Sequence, residues 1–309
     1  MANERSPGSI RLGVLECWDH VGNTIALAED ADRLGYSRYW LTEHHPQPNP
    51  QMVAALVAGV TQNIRVGTAG ILLHFHTPLV AAQQFLLLEH AYPGRTDAGF
   101  CSGNADGLVA QALLDGRPDR RGEPGAFDER AATLIGFLRD QWPADHPYAS
   151  ERAWPLGTGA PEIWSFGTGL GSARIAARHG TSFGYSLFHS FSRDDTTSVE
   201  EYRDGFQPTA DQREPLVCIA VGCVCAETEH EAHRLRDARQ NPFFAPTVVG
   251  TPRQCYEQLA AISERYATRE IVFMDLAPDF SARRRTLPLL AEELGLGAGC
   301  EFEATSSAA

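Results

Sequence analysis

Short apolar runs alternate with longer stretches in which apolar residues recur every three or four positions, over most of the chain. A period near two marks strands and one near 3.6 marks helices. The pattern predicts strands over Ile10–Leu15, Arg38–Thr42, Ile64–Leu72, Arg95–Phe100, Glu162–Phe166, Ser182–Leu187, Pro215–Val224 and Glu270–Met274. Helices are expected behind them, over Asn23–Leu34 (closed by Gly35), Gln51–Thr61, Pro78–His90, Asp128–Gln141, Ser172–His179, near Thr197–Arg203, Glu227–Gln240 and Ser281–Leu294. One more opens at Thr251, where Thr251, Pro252 and Gln254 spell a capping box with proline in the first turn. Between Ser102 and Pro161 the periodicity loosens. Loops Asp115–Gly125 and Trp142–Gly159 are long enough there to act as lids.

Strand followed by helix, about eight times over, is the pattern of an α/β chain closed into a (β/α)8 TIM barrel. An open doubly wound sheet is the alternative, but it would carry a glycine-rich turn after its first strand. Here that strand leads into LECWDHVGN, which has none. One barrel domain over 1–296 is expected, with 297–309 a disordered tail.

Composition narrows the partners. The formal net charge is -13, and all 26 basic residues are arginine. No basic block exists to release counterions, so a nucleic acid is not expected as partner; one or two arginines can still serve a single phosphate. The seven cysteines form no CxxC pair, which suits reduced thiols in the cytoplasm, and the Cys223/Cys225 CxC reads as packing. No apolar stretch is long enough to span a membrane, so none is expected as partner.

Catalytic groups of such a barrel lie at the C-terminal strand ends. These positions hold Glu16 and Cys17, then Glu43, His44 and His45, then His74 and His76, Cys101 to Asn104, Gly167 to Ser172, and His189. No comparable cluster is expected at the opposite rim. The glycines of SFGTGLGS allow close backbone approach, and Ser172 is placed at a helix start, where free N–H groups attract an anion. The rim aromatics Trp18, Phe75, Phe100, Trp164, Phe166, Phe188 and Phe191 are compatible with a flat substrate or with packing. In YWLTEHHPQP, alternation makes His44 and His45 inequivalent. A metal-dependent hydrolase using His44, His45, His74 and His76 is a rival, with Asp275 as its one later carboxylate.

The segments RYWLTEHHP, NIRVGTAGILLHFHTPLVAAQQFLLLEHAYPGRTDAGFCSGN, PEIWSFGTGLGSARIAARHG and VVGTPRQCYEQLAAI resemble, in order, the bacterial luciferase-like flavin-dependent monooxygenases. The resemblance implies a barrel that binds reduced FMN, adds O2 at the flavin C4a position and passes one oxygen to a small organic substrate. Hydroxylation, epoxidation and Baeyer–Villiger insertion share that start. It implies His44 as general acid or base facing the flavin, which suits imidazole. It places the flavin bed at Ala69–Gly70, often a cis peptide, and the flavin-edge cysteine at Cys101. The phosphate loop falls on Thr168, Gly169, Leu170, Gly171 and Ser172. Ser102 stands where luciferase has a phosphate-binding arginine, and Arg130 matches a second family arginine. By alternation, Glu43 is expected to orient a neighbour or pair with an arginine, and His45 to leave the ligand side and make structural hydrogen bonds. The weakened arginine set suits flavin supplied by a separate reductase. A homodimer through the helices near strands two and three is implied, with Met52–Val60 either its interface or simply buried. A deazaflavin-dependent oxidoreductase of the same fold, or a relative that binds flavin without catalysis, is the nearer alternative.

Overall fold

The computed structural model describes residues 10–297, except 18, 19, 46, 48, 104, 158 and 240. The expected tail beyond 297 and Trp18 lie outside the described residues. The strands are β1 (Arg11–Glu16), β2 (Arg38–Leu41), β3 (Arg65–Thr68), β4 (Ile71–Leu72), β5 (Thr96–Cys101), β6 (Glu162–Gly167), β7 (Ser182–Ser186), β8 (Val217–Cys225), β9 (Val248–Gly250) and β10 (Glu270–Asp275). All pair in parallel, in the order β10-β1-β2-β3-β5-β6-β7-β8, and β8 returns to β10, closing an eight-stranded barrel. The predicted third strand is split. A cis peptide joins Ala69 and Gly70 between β3 and β4, and β4 re-pairs with β5.

The helices are α1 (Val21–Leu34), α2 (Pro50–Val60), α3 (Pro78–Ala91), α4 (Gly107–Leu114), α5 (Ala126–Arg139), α6 (Leu170–Arg178), α7 (Thr197–Gly205), α8 (Glu229–Asp237), α9 (Pro252–Arg265) and α10 (Phe280–Leu294). Strand alternation sorts two cores. Outward residues such as Tyr39, Leu41, Ile219 and Phe273 pack under the helices; inward Trp40, Trp164, Phe166 and Met274 fill the barrel. Gly184 leaves room for this filling, because a methyl there would lie 2.2 Å from the Phe166 ring. The Thr251 capping box forms as expected. Cys223 and Cys225 are buried in the outer core.

Two elements were not in the pattern: α4, and the short edge strand β9 beside β8. One expectation is corrected. The opposite rim does carry a charged cluster, buried and made of the first residues of several strands. Arg38 donates to Asp97 (2.7 Å), Glu270 (3.2 Å) and Glu162 (3.1 Å), while Arg65 donates to the other Asp97 oxygen (2.6 Å). Trp40 Nε1 also donates to Asp97 (2.7 Å), and the Arg38 guanidinium lies over the Trp40 and Trp164 rings. Burial alone would raise the Asp97 carboxyl; the two arginines bring it below its ordinary value. This cluster plugs the N-terminal end, so the open end is the other one.

Candidate active site

A cavity of about 790 Å³ opens at the C-terminal ends of the strands. Of the residues expected to bind or react, Glu43, His44, Ala69, Gly70, Cys101 and Ser102 line it, as do Thr168, Gly169, Gly171 and Ser172. Leu170 and Arg130 do not. Leu170 is exposed, and Arg130 is spent on the carbonyls of Leu73 (3.0 Å) and His76, bracing the turn after β4.

The floor is the Ala69–Gly70 bulge. Gly70 is required there by space, since a methyl would sit 2.6–2.7 Å from the Phe100 backbone. The Cys101 thiol reaches the Gly70 carbonyl (3.6 Å). Burial, with Glu43 nearby, pushes that thiol up to about 12, so it is protonated at neutral pH and acts as packing. Among the described residues Glu43 pairs with no arginine. It accepts the Leu72 N–H (2.7 Å) and sits 2.8 Å from His76 Nε2, pinning the chain beside the floor.

At one end α6 begins. Its start is Leu170, two residues before the expected one, with Gly169 as cap. Ser172 is therefore not the cap; its hydroxyl donates back to the Gly169 carbonyl (2.9 Å). The first-turn N–H groups of a helix have no intrahelical partner. Nothing lies within 4 Å of a methyl built at Gly169 or Gly171, so the absent side chains leave a cradle facing those groups. An anionic ligand fits such a cradle. No arginine is among the described residues lining the cavity.

The other end is histidine and phenylalanine. His44 Nδ1 lies 4.0 Å from Cys17 Sγ, and the His44 ring stands edge-on to Phe244 at 5.8 Å. Burial lowers the His44 pKa, Glu43 offsets part of that, and His45 adds to it, so the imidazole is neutral at pH 7. His45 does not leave the ligand side as expected. It also lines the cavity, with Nε2 3.5 Å from Glu43 and its ring near Phe75. Past β7, His189 enters the cavity, and burial, then His44, push it down to about 4. Of the expected rim aromatics, Phe166, Phe188 and Phe191 line the cavity; Phe127 and Phe243 join them from segments that sequence reasoning left aside. Only their distance in space from the strand ends, not their letters, would have picked them out.

The rival metal set does not converge. His76 is held by Glu43, His74 packs on Phe127, and Asp275 accepts the Ala277 N–H away from the cavity. Among the described residues no three His, Cys, Asp or Glu side chains form a metal site. Both long loops are packed down in this structure. Trp142, His146 and Tyr148 stack on one another and on Phe137 of α5, and Arg117 and Arg121 tie the other loop to the carbonyls of Phe75 and Ala105.

A family model described as luciferase-like monooxygenase matches residues 3–245. A luciferase-like monooxygenase of Escherichia coli is 29% identical, over 88% of this chain and 82% of its own. The N-acetyl-S-alkylcysteine monooxygenase of Bacillus subtilis is 30% identical, over 80% and 76%. Among solved structures, apo-MsnO8 superposes with a TM-score of 0.80 at 27% identity, covering 93% of this chain and 98% of its own. The oxygenating constituent of 3,6-diketocamphane monooxygenase from Pseudomonas putida, in complex with FMN, gives 0.67 at 17%, with the same coverage. The coenzyme F420 dependent tetrahydromethanopterin reductase of Methanopyrus kandleri gives 0.68 at 14%, again covering 93% and 98%.

Proposed function

The chain belongs to the luciferase-like monooxygenase family, and from that premise we propose that it is a monooxygenase that uses reduced FMN and O2 to oxygenate a small organic substrate. The observation that carries this reading is one cavity joining three parts: the Ala69–Gly70 floor, the open cradle at the α6 N-terminus, and the neutral His44. The FMN and F420 named for the two distant structures set the alternatives for the cofactor.

The residues present fit FMN. Ala69 and Gly70 would offer small side chains and backbone to the ring, beside the protonated Cys101 thiol. The first-turn N–H groups of α6 and the hydroxyls of Thr168, Ser172 and Ser102 would hold the phosphate. When bound, reduced FMN supplies the electrons that activate O2; one oxygen atom enters the substrate and the other leaves as water. With Nδ1 turned to Cys17, His44 has Nε2 free to take up and return a proton in the cavity. Glu43 positions the floor through the Leu72 N–H and His76. With no arginine among the described residues of the cavity wall, the phosphate would be held by dipoles and hydroxyls, which suits a flavin that arrives from a separate reductase and leaves after each turnover.

Anaerobic titration with reduced FMN and with reduced F420 tests the reading. Saturable binding of FMN is expected, weakened roughly tenfold or more in Gly171→Val, whose side chain fills the cradle. The melting temperature of that variant should stay within a degree or two of the parent. Binding of reduced F420 but not FMN would shift the assignment to a deazaflavin oxidoreductase. FMN binding indifferent to Gly171→Val would remove the phosphate from α6.

A further inference from the structure

If the floor and the α6 cradle hold the flavin, the opposite end of the cavity is left for the substrate, and its wall has a specific chemistry. His44 and His189 follow β2 and β7, which stand four places apart around the eight-stranded barrel and so face each other across the mouth. One ring, Phe244, touches both: its centroid lies 5.8 Å from each imidazole. His189 is enclosed by phenyl rings. It stacks on Phe191 at 5.0 Å and 11°, meets Phe243 edge-on at 5.1 Å, and lies 4.2 Å from Phe188.

Among the described residues this imidazole makes neither a hydrogen bond nor an ion pair, whereas His45, whose Nε2 also lacks a hydrogen bond, still lies 3.5 Å from the Glu43 carboxylate. His76 is held by Glu43, His179 by Asp128, and His44 lies against Cys17. The His189 ring makes no hydrogen bond within the described residues, and its Nδ1 is buried. A polar nitrogen withdrawn from water without a partner carries a free-energy cost that a ligand atom can relieve. Phe191 and Phe243, meanwhile, expose their rings at the mouth of the same cavity. Solvent-exposed aromatic rings rimming a concave site, around one unsatisfied polar group, are the makings of a ligand pocket.

We infer that Phe188, His189, Phe191 and Phe243 form the substrate subsite, and that it takes a planar aromatic molecule bearing a hydroxyl, whose oxygen hydrogen-bonds the His189 imidazole. The proposal rests on the flavin occupying the other end. His189 binds and orients the substrate toward His44, which handles the proton. A neutral imidazole offers one donor and one acceptor nitrogen, so it can satisfy a hydroxyl in either direction. A purely aliphatic chain would cover the phenyl rings and leave the nitrogen unpaired.

Three probes decide between these: 2-naphthol, naphthalene and decanal, titrated anaerobically with and without reduced FMN, with flavin binding followed in the same samples. The parent protein should bind 2-naphthol roughly tenfold more tightly than naphthalene, the worth of one neutral hydrogen bond. His189→Phe keeps the ring stack and should erase that preference; His189→Gln should keep most of it. A general loss of packing would weaken both naphthyl probes together and leave their ratio unchanged. Should His189→Phe fail to fold, the His189→Gln ratio and Phe191→Ala, at an exposed position, carry the test; the latter should weaken both naphthyl probes. A ratio unmoved by His189→Phe, or decanal outcompeting 2-naphthol, overturns the proposal. Failure of FMN to bind while the naphthol preference still depends on His189 would instead overturn the flavin reading and leave the subsite standing.

Discussion

His44 and His45 are adjacent letters with different surroundings, and the difference is electrostatic as much as geometric. Both line the cavity, but His44 is half-buried against Cys17 and Phe244, while His45 sits beside Glu43. Alternation anticipated their inequivalence, yet not that both would face the ligand side, because the chain leaves strand geometry after Leu41. His189, a single letter in SLFHSFS, gave no hint of its lack of partners; that follows from which rings the fold brings around it. Its low pKa has a consequence for stability. Unfolded, the imidazole titrates near 6.5; folded, near 4. Between those values the unfolded chain binds the proton and the native one does not, so stability is full above about pH 6.5 and is lost as pH falls toward 4. His189→Phe removes this term. Urea denaturation of parent and variant at pH 7 and pH 4.5 should show the variant gaining about 2 kcal/mol relative to the parent on acidification. An equal loss in both proteins would mean that His189 is protonated in the native state.

At the scale of elements, what could be read from the letters was what local chemistry specifies. The helix at Thr251 was announced by its capping box, and most strands by their apolar runs. α4 was missed because its apolar residues form no single stripe: Ala110 and Leu114 are buried, while Leu108 and Val109 are exposed. β9 was missed because three residues at a sheet edge carry too little pattern. The charged cluster at the closed rim was invisible for another reason. Arg38, Arg65, Asp97, Glu162 and Glu270 are scattered along the chain and meet only when the strands close. Arg38→Met tests its weight. Fully buried Asp97 would lose one of its two arginines and Glu270 its buried partner, so about 3–5 kcal/mol of stability should disappear in chemical denaturation. A loss below about 1 kcal/mol would show that Arg65 and Arg11 suffice to hold these carboxylates.

For the whole molecule the open question is how many copies act together. α2 buries Val53, Ala54, Val57 and Ala58 against the barrel, but it turns Met52, Leu56 and Val60 outward. Val80 and Leu87 of α3, which packs beside α2, are exposed too. The run Met52–Val60 is thus buried on one side and exposed on the other, and we propose that its outward row forms a homodimer interface, because such a patch is uncommon on a monomer. Sedimentation should give the mass of two chains for the parent and one for Leu56→Glu at the same concentration. A parent that sediments as one chain would leave the patch without this explanation.

The alternation that closes into the barrel, the polar groups at its C-terminal strand ends and the glycines after β6 were all legible through local rules. Strand period, helix start signals and the placing of glycine act within a few residues, so the sequence alone determined them. Tertiary structure decided which groups are paired. It tied Arg130 and Glu43 to backbone and histidine, built the buried cluster at the far rim, and left the His189 ring opposite His44 among phenyl rings, without a hydrogen bond among the described residues. Pairing and burial depend on neighbours distant in the chain, and these become neighbours only when β8 meets β10 and the sheet closes.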